Sequence, residues 1–265
     1  MGWFRWAVRG RGGARKGAVA VLVSIGLVAC SLDDLSAPIR SNDEVGEEGA
    51  WVVLDLQNVL QRQAQSGATF YRALTGTESF EIGVLRRRPA DVDAPIEHPH
   101  TTMYRVLAGS GSITTASDTI PFEPGHIIFV REGVEHRFER ASSIVDLLVV
   151  FALGSAATTD PELRVFGADE VVAERDGERN VFTQLVDAST MSLGMYMIPK
   201  NGDDPIVLEH AYDEVKIVIE GGGRFDLGQG GLEAEAGTIA FITSGTRHQF
   251  RRASDALDVI VIGAK

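Results

Sequence analysis

Apolar residues in this chain fall into short runs bounded by glycine and polar turns, and the runs occur twice in the same order. Residues 79–85 and 191–198 have β-type composition and align with each other. Tyr104 to Leu107 and Lys216 to Ile219 run into paired glycines, Gly109 with Gly111 and Gly221 with Gly223, as a tight hairpin or bulge requires. Residues 146–151 and 258–262 are near-continuous apolar runs, the pattern of closing core strands. Helical spacing is confined to Val59 to Ala64 and to Ala168 to Glu174, each just ahead of a set of strands. Many short strands and few short helices predict an all-β chain with a β-barrel or jelly roll in each half.

The halves are related by a constant offset of 112 residues. Segment 124–138 falls on 236–250, so that Gly125 meets Gly237, Phe129 meets Phe241, Gly133 meets Gly245, His136 meets His248 and Phe138 meets Phe250. Upstream, His98 meets His210. The period is too long for a solenoid unit and right for a duplicated small domain. Residues 152–161, with Gly154, Ser155, Ala156 and Ala157, read as the connection, which divides the folded part into domains at 50–152 and 162–265. Five of the six histidines lie in the matched blocks, which directs the search for chemistry to imidazoles.

Composition changes the picture mainly at the N-terminus. Arg5, Arg9, Arg11, Arg15 and Lys16 precede an apolar run from Gly17 to Val28 that is too short for a spanning helix, which needs about 20 residues, and suits a secretory signal. It ends at Cys30, the one cysteine of the chain, which leaves no disulfide framework. Residues 1–29 read as a signal peptide, and 30–49 as a flexible acidic tether. Without the five cationic side chains of the leader, the formal charge moves from −12 to −17. So acidic a chain lacks the cationic surface that nucleic acid requires. The Leu27-Val28-Ala29-Cys30 ending resembles the lipobox of bacterial lipoproteins. That resemblance implies lipidation of Cys30, export, membrane anchoring, and placement on the periplasmic face of the outer membrane.

The repeats resemble the two domains of a bicupin, over roughly residues 78–151 and 190–262. Cupins are small jelly-roll barrels with a His-x-His, glutamate, glycine motif and a second motif of Pro-x-Gly, a further histidine and an aromatic strand. Residues 121–136 match the second motif, and 236–248 match it with alanine in place of the proline. The first motifs are only partly kept. In an ungapped alignment Ile96 and Leu208 stand where the family usually has its first histidine, and Thr102 where the glutamate would be. A shorter connection would instead make His98 and His100 the pair and put Tyr104 at the glutamate position.

Strand alternation would place Ile96, His98, His100, Thr102 and Tyr104 on one face, and Leu208, His210, Tyr212, Glu214 and Lys216 on its counterpart. The resemblance implies that this face points into the barrel beside the second-motif histidine. The second repeat then offers His210, Glu214 and His248, a three-ligand set for Fe(II), Mn(II), Ni(II) or Zn(II) with positions left open. Lys216 could instead neutralise Glu214 by an ion pair. The first repeat offers His98, His100 and His136 without a carboxylate, either as a neutral three-histidine metal site or as a polar interior bonded to Tyr104. Tyr104, Tyr212, Thr102 and Lys216 would line the ligand cavities.

Two functions follow. One is an exported, lipid-anchored bicupin that binds a divalent metal and a small organic ligand, with dioxygenase or isomerase chemistry and Glu214 as ligand or general base. The other is a non-catalytic binding or structural lipoprotein with degenerate, metal-free barrels.

Overall fold

The structure is a computed structural model, and it describes residues 44–45, 50–89, 95–141, 143–167, 181–205 and 207–265. The signal peptide, Cys30, most of the tether and the helix expected at Ala168 to Glu174 lie outside the described residues. No helix among the described residues is long and apolar enough to cross a membrane.

A two-residue strand β1 (Glu44–Val45) leads to β2 (Trp51–Asp55) and then α1 (Leu56–Ser66). Asp55 caps α1 by accepting from the Asn58 amide at 2.7 Å, and Gly67 ends it at a φ of 66° that few other residues adopt. Next come β3 (Phe70–Leu74), β4 (Phe80–Arg87), β5 (Thr101–Ala108), β6 (Gly111–Thr114), β7 (Thr119–Phe122), β8 (Ile127–Val130), β9 (Arg137–Glu139) and β10 (Val145–Ala152). The second half runs through β11 (Leu163–Phe166), β12 (Val181–Asp187), β13 (Met191–Ile198), β14 (Glu214–Glu220) and β15 (Gly222–Leu227). It ends with β16 (Gly230–Glu235), β17 (Thr238–Ile242), β18 (His248–Arg251) and β19 (Leu257–Ala264). The all-β expectation and the paired jelly rolls are both present.

Each half sets a large sheet against a three-stranded one. The first has the order β11-β8-β5-β10-β4-β3 with β7-β6-β9, and the second β1-β2-β17-β14-β19-β13-β12 with β16-β15-β18. Alternate residues of the large sheets serve two cores. Leu147 and Val149 face the first barrel beside Tyr104, Ile113, Phe122 and Phe138. Leu148 and Val150 face a layer shared with Leu193, Met195, Val215, Ile217, Ile260 and Ile262 of the second half. A strand buried on both faces favours apolar residues, which is why β10 and β19 read as near-continuous apolar runs broken only by Asp146 and Asp258. The second barrel has its own core, with Phe225, Leu227, Phe250 and Val259.

Sheet membership does not follow the division at 152 and 162. Strand β2 pairs with β17, Val52 opposite Phe241, and β11 pairs with β8, Arg164 opposite Phe129. Strands β8 and β17 are equivalent positions in the two repeats, and each would otherwise present an open row of amides and carbonyls. Each half therefore covers an edge strand of the other. Arg86 of β4 donates two hydrogen bonds to Asp146 of β10 at 2.7 and 2.9 Å.

Candidate metal centre

In both repeats one glycine turn joins the two motifs. The amide of Gly245 donates to the His210 carbonyl at 2.8 Å, and that of Gly133 to the His98 carbonyl at 3.0 Å. Both glycines have φ above 70°, a left-handed conformation that a side chain would strain. Leu208 and His248 form an isolated antiparallel bridge, as do Ile96 and His136. These backbone ties bring imidazoles that are far apart in sequence to one end of each barrel.

The alternation expected through residues 96–104 and 208–216 holds only within the strands. The chain bends at Pro99–His100 and again at Ala211–Tyr212, and β5 and β14 begin after the bends. Thr102 with Tyr104, and Glu214 with Lys216, point inward from those strands, whereas His98 and His210 enter from the loops. The bend leaves His100 outside the cluster.

The second barrel gathers His210, Glu214 and His248, whose ligand atoms all lie within 4.8 Å of one another. Among the described residues no other group of histidine, cysteine or acidic side chains converges in this way. His210 Nε2 is 3.4 Å from Glu214 Oε1, and His248 Nε2 is 3.1 Å from Glu214 Oε2. Glu214 and His248 are fully buried, and about a quarter of the His210 side chain is exposed. The Nδ1 of His248 lies 3.0 Å from the Thr246 carbonyl, a bond in which only a protonated nitrogen can donate. That leaves a lone pair on Nε2 of the neutral ring. Nε2 and Oε2 are both buried and make no directed hydrogen bond, and the cation nearest to Oε2 is the Lys216 ammonium. A positive charge between the two atoms, whether a metal ion or a proton on Nε2, would satisfy both.

Lys216, with 3% of its side chain exposed, holds Nζ 3.3 Å from the same Oε2. Burial by itself would raise the Glu214 carboxyl, but the Lys216 ammonium, then His248 and His210, outweigh it and hold the group down at about 2. His210 is pushed below its ordinary value, first by burial, which the Glu214 carboxylate opposes. The carboxylate is thus ionised and the exposed imidazole neutral, the states in which both bind metal. A His2Glu set fits a divalent ion, with Lys216 as a competing cation.

The first barrel is arranged differently. Tyr104 Oη sits 2.8 Å from His98 Nε2 and 2.9 Å from His136 Nε2, while His136 Nδ1 lies 2.9 Å from the Val134 carbonyl. One proton assignment satisfies the whole chain: His136 donates from Nδ1, Tyr104 donates to His136 Nε2, and His98 donates from Nε2 to Tyr104. Burial raises the Tyr104 hydroxyl and keeps it neutral. Burial also lowers His98 to about 4, with His136 and His100 adding to the shift. Of the two arrangements open for this repeat, the polar interior bonded to Tyr104 is the one present. Thr102, in the glutamate position, uses its hydroxyl to donate to the His100 carbonyl. His126 is a partly buried loop residue beside Glu123.

No motif or repeat marked Asp204 in advance. It is buried, accepts from the Tyr196 hydroxyl, and takes the Phe250 amide at 2.6 Å, which anchors β18 and so His248. Its counterpart by the repeat offset falls at residue 92, outside the described residues, so the duplication could not reveal it.

The cupin domain family model matches residues 84–151 and 194–263, just over half of the chain, and the protein belongs to that family. An uncharacterized protein of Streptomyces coelicolor is 28% identical over 100 residues, which span 38% of this chain and 94% of that one. Salicylate 1,2-dioxygenase from Pseudaminobacter salicylatoxidans has the same fold, with TM-score 0.67 and 10% identity over 88% of each chain. The cupin 2 conserved barrel domain protein from Leptotrichia buccalis gives 0.58 and 16%, over 74% of this chain and 88% of that one. At such identities the likeness is one of fold.

Proposed function

We propose that this protein binds one divalent metal ion through His210, Glu214 and His248, and a small organic ligand in the second barrel. The observation that carries this is the convergence of His210, Glu214 and His248, whose ligand atoms all lie within 4.8 Å of one another, with His248 Nε2 buried and making no directed hydrogen bond. A bound ion would supply Lewis acidity and, if redox-active, a site for oxygen chemistry. The chain's own residues hold Glu214 ionised, fix the His248 tautomer through Thr246 and leave His210 facing outward. The dioxygenases among proteins of this fold favour oxidoreductase or isomerase chemistry on a small acid. Titration with Co(II) tests the site: a visible d–d spectrum that saturates at one equivalent and is lost in His248→Ala supports it, and a spectrum unchanged in that variant rejects it.

The ion pair of Lys216 with Glu214 favours a second reading, a metal-free binding protein in which the ammonium is the permanent cation. Equal stability with and without divalent ions would select it.

The export signal and Cys30 support a lipid-anchored protein on the periplasmic face of the outer membrane. Multiple acyl chains on one cysteine satisfy the need for two membrane signals. Metabolic labelling with palmitate, retained by the wild type and lost together with membrane association in Cys30→Ser, checks this part; a membrane-bound Cys30→Ser protein refutes it.

A further inference from the structure

Strand β10 runs from Val145, opposite Arg87, to Ala152, opposite Phe80 and Thr101. The histidines of the first barrel gather at the Thr101 end, where the His98 ring packs on Phe151. Arg87 stands at the other end. On β4, Leu85 belongs to the core of the first barrel, whereas Ile82 and Val84 belong to the layer shared with the second half. Alternation therefore turns Arg87 to the barrel side with Leu85, and Arg86 to the opposite side, where it meets Asp146. Burial raises the Tyr104 hydroxyl and the Arg87 charge opposes that rise, as a guanidinium on the inner side of the sheet does.

The Nη2 of Arg87 is buried and has no hydrogen-bond partner. Arg87 borders a cavity of about 140 Å³ together with Arg88, Arg140, Phe138 and Val145. No acidic side chain is among the described residues that line it. Phe138, whose ring also packs edge-on against Tyr104 with centroids 5.3 Å apart, forms an apolar wall. A guanidinium stays charged at any pH the protein meets, so a buried nitrogen without an acceptor is costly. The fold itself does not demand that cost. In the second barrel Pro199 stands at the position of Arg87, and its turn is tied by backbone alone: the Gly202 amide donates to the Pro199 carbonyl at 2.8 Å, and the Asn201 amide to the Ala253 carbonyl at 2.8 Å. Arg140 does have a counterpart in Arg252, both with a left-handed φ, of 54° and 53°. The inward arginine belongs to the first barrel only.

We infer that this cavity, at the end of the first barrel away from its histidines, binds a small oxyanion on Arg87. Its volume is that of about five water molecules in the liquid, room for one carboxylate or phosphate group and a body of a few atoms. Arg87 offers the planar fork that holds two oxygens of either group, and it supplies the acceptor its buried Nη2 lacks. Arg88 and Arg140 add positive charge at the rim, and Phe138 and Val145 receive the apolar part of a short carboxylate. The site is independent of His210, Glu214 and His248, and stands whether or not the second barrel holds a metal.

The test titrates the full chain by calorimetry with inorganic phosphate and, separately, with propionate, in EDTA and at constant ionic strength. Saturable binding of either probe at one site is expected, and which of the two binds more tightly tells a phosphate from a carboxylate ligand. Arg87→Met, which keeps an unbranched side chain and removes the charge, should weaken that binding by about tenfold. Arg140→Gln, at an exposed position, should weaken it about threefold and decides the matter if Arg87→Met does not fold. Arg72→Gln, an exposed arginine of β3 away from the cavity, should leave the affinity unchanged and so separates a site from general attraction to positive charge. Failure of both probes to bind, affinity indifferent to the cavity variants that fold, or an equal loss in Arg72→Gln overturns the inference.

Discussion

Replacing Lys216 with methionine should reveal whether two cations compete for Glu214. Nζ and Oε2 are 3.3 Å apart and both side chains are 3% exposed. At an effective dielectric constant of 20 their attraction is about 5 kcal/mol. Methionine removes it but also relieves the desolvation of the ammonium, and the freed carboxyl can take up a proton. A net loss of about 3 kcal/mol is expected for the metal-free protein. For a folded unit of this size that is a fall of roughly 6–12 °C in Tm. A divalent ion should reverse the loss, because it supplies Glu214 with a new counter-charge and meets no ammonium. At a hundred times its Kd the ion returns about 2.7 kcal/mol. Its affinity for Lys216→Met should exceed that for wild type by about tenfold. Thermal unfolding by circular dichroism in EDTA and in excess Zn(II), with calorimetric titration of the ion, measures each quantity. An equal Tm loss in both conditions, with equal affinities, would refute the idea that Lys216 and the ion share Glu214.

Three further outcomes are expected. Leu208→His should tighten metal binding by about tenfold, since residue 208 lies opposite His248 and its side chain shares that face; unchanged affinity in a calorimetric titration would count against the ligand geometry. Tyr104→Phe should destabilise the protein by about 1–3 kcal/mol in urea unfolding, because it strips the bridging hydroxyl from two imidazoles, and should leave metal content unchanged. His98 titrates below its ordinary value in the folded protein, so the unfolded chain binds the extra proton. Its contribution is therefore present above pH 6.5 and is lost as pH falls toward about 4; with solvent screening it amounts to roughly 2 kcal/mol. His98→Gln should flatten that segment of the stability–pH curve, and an unaltered slope would assign it to other groups.

Much of the architecture was legible because duplication marks many structural positions twice. The left-handed Gly109, Gly125 and Gly133, the second-motif histidines and the doubly buried closing strands each stand 112 residues from a counterpart. The exchange of β2 and β11 was not legible, since edge covering depends on which apolar segment lies nearby and not on any pattern within it. Strand alternation misplaced His100 because Pro99 bends the chain just before β5, and a proline one residue away from a strand leaves its register open. The choice between two histidine networks turned on the Tyr104 hydroxyl, which a sequence places near both rings without showing that it bonds to both.

The central claim is tested most directly by metal content. The full chain should be incubated with Zn(II), dialysed free of loose ion and analysed by plasma mass spectrometry beside His248→Ala and His136→Ala. One ion per chain in wild type and in His136→Ala, with none in His248→Ala, is the expected result. Zinc absent from wild type, or lost equally in both variants, would contradict a centre built by the second barrel.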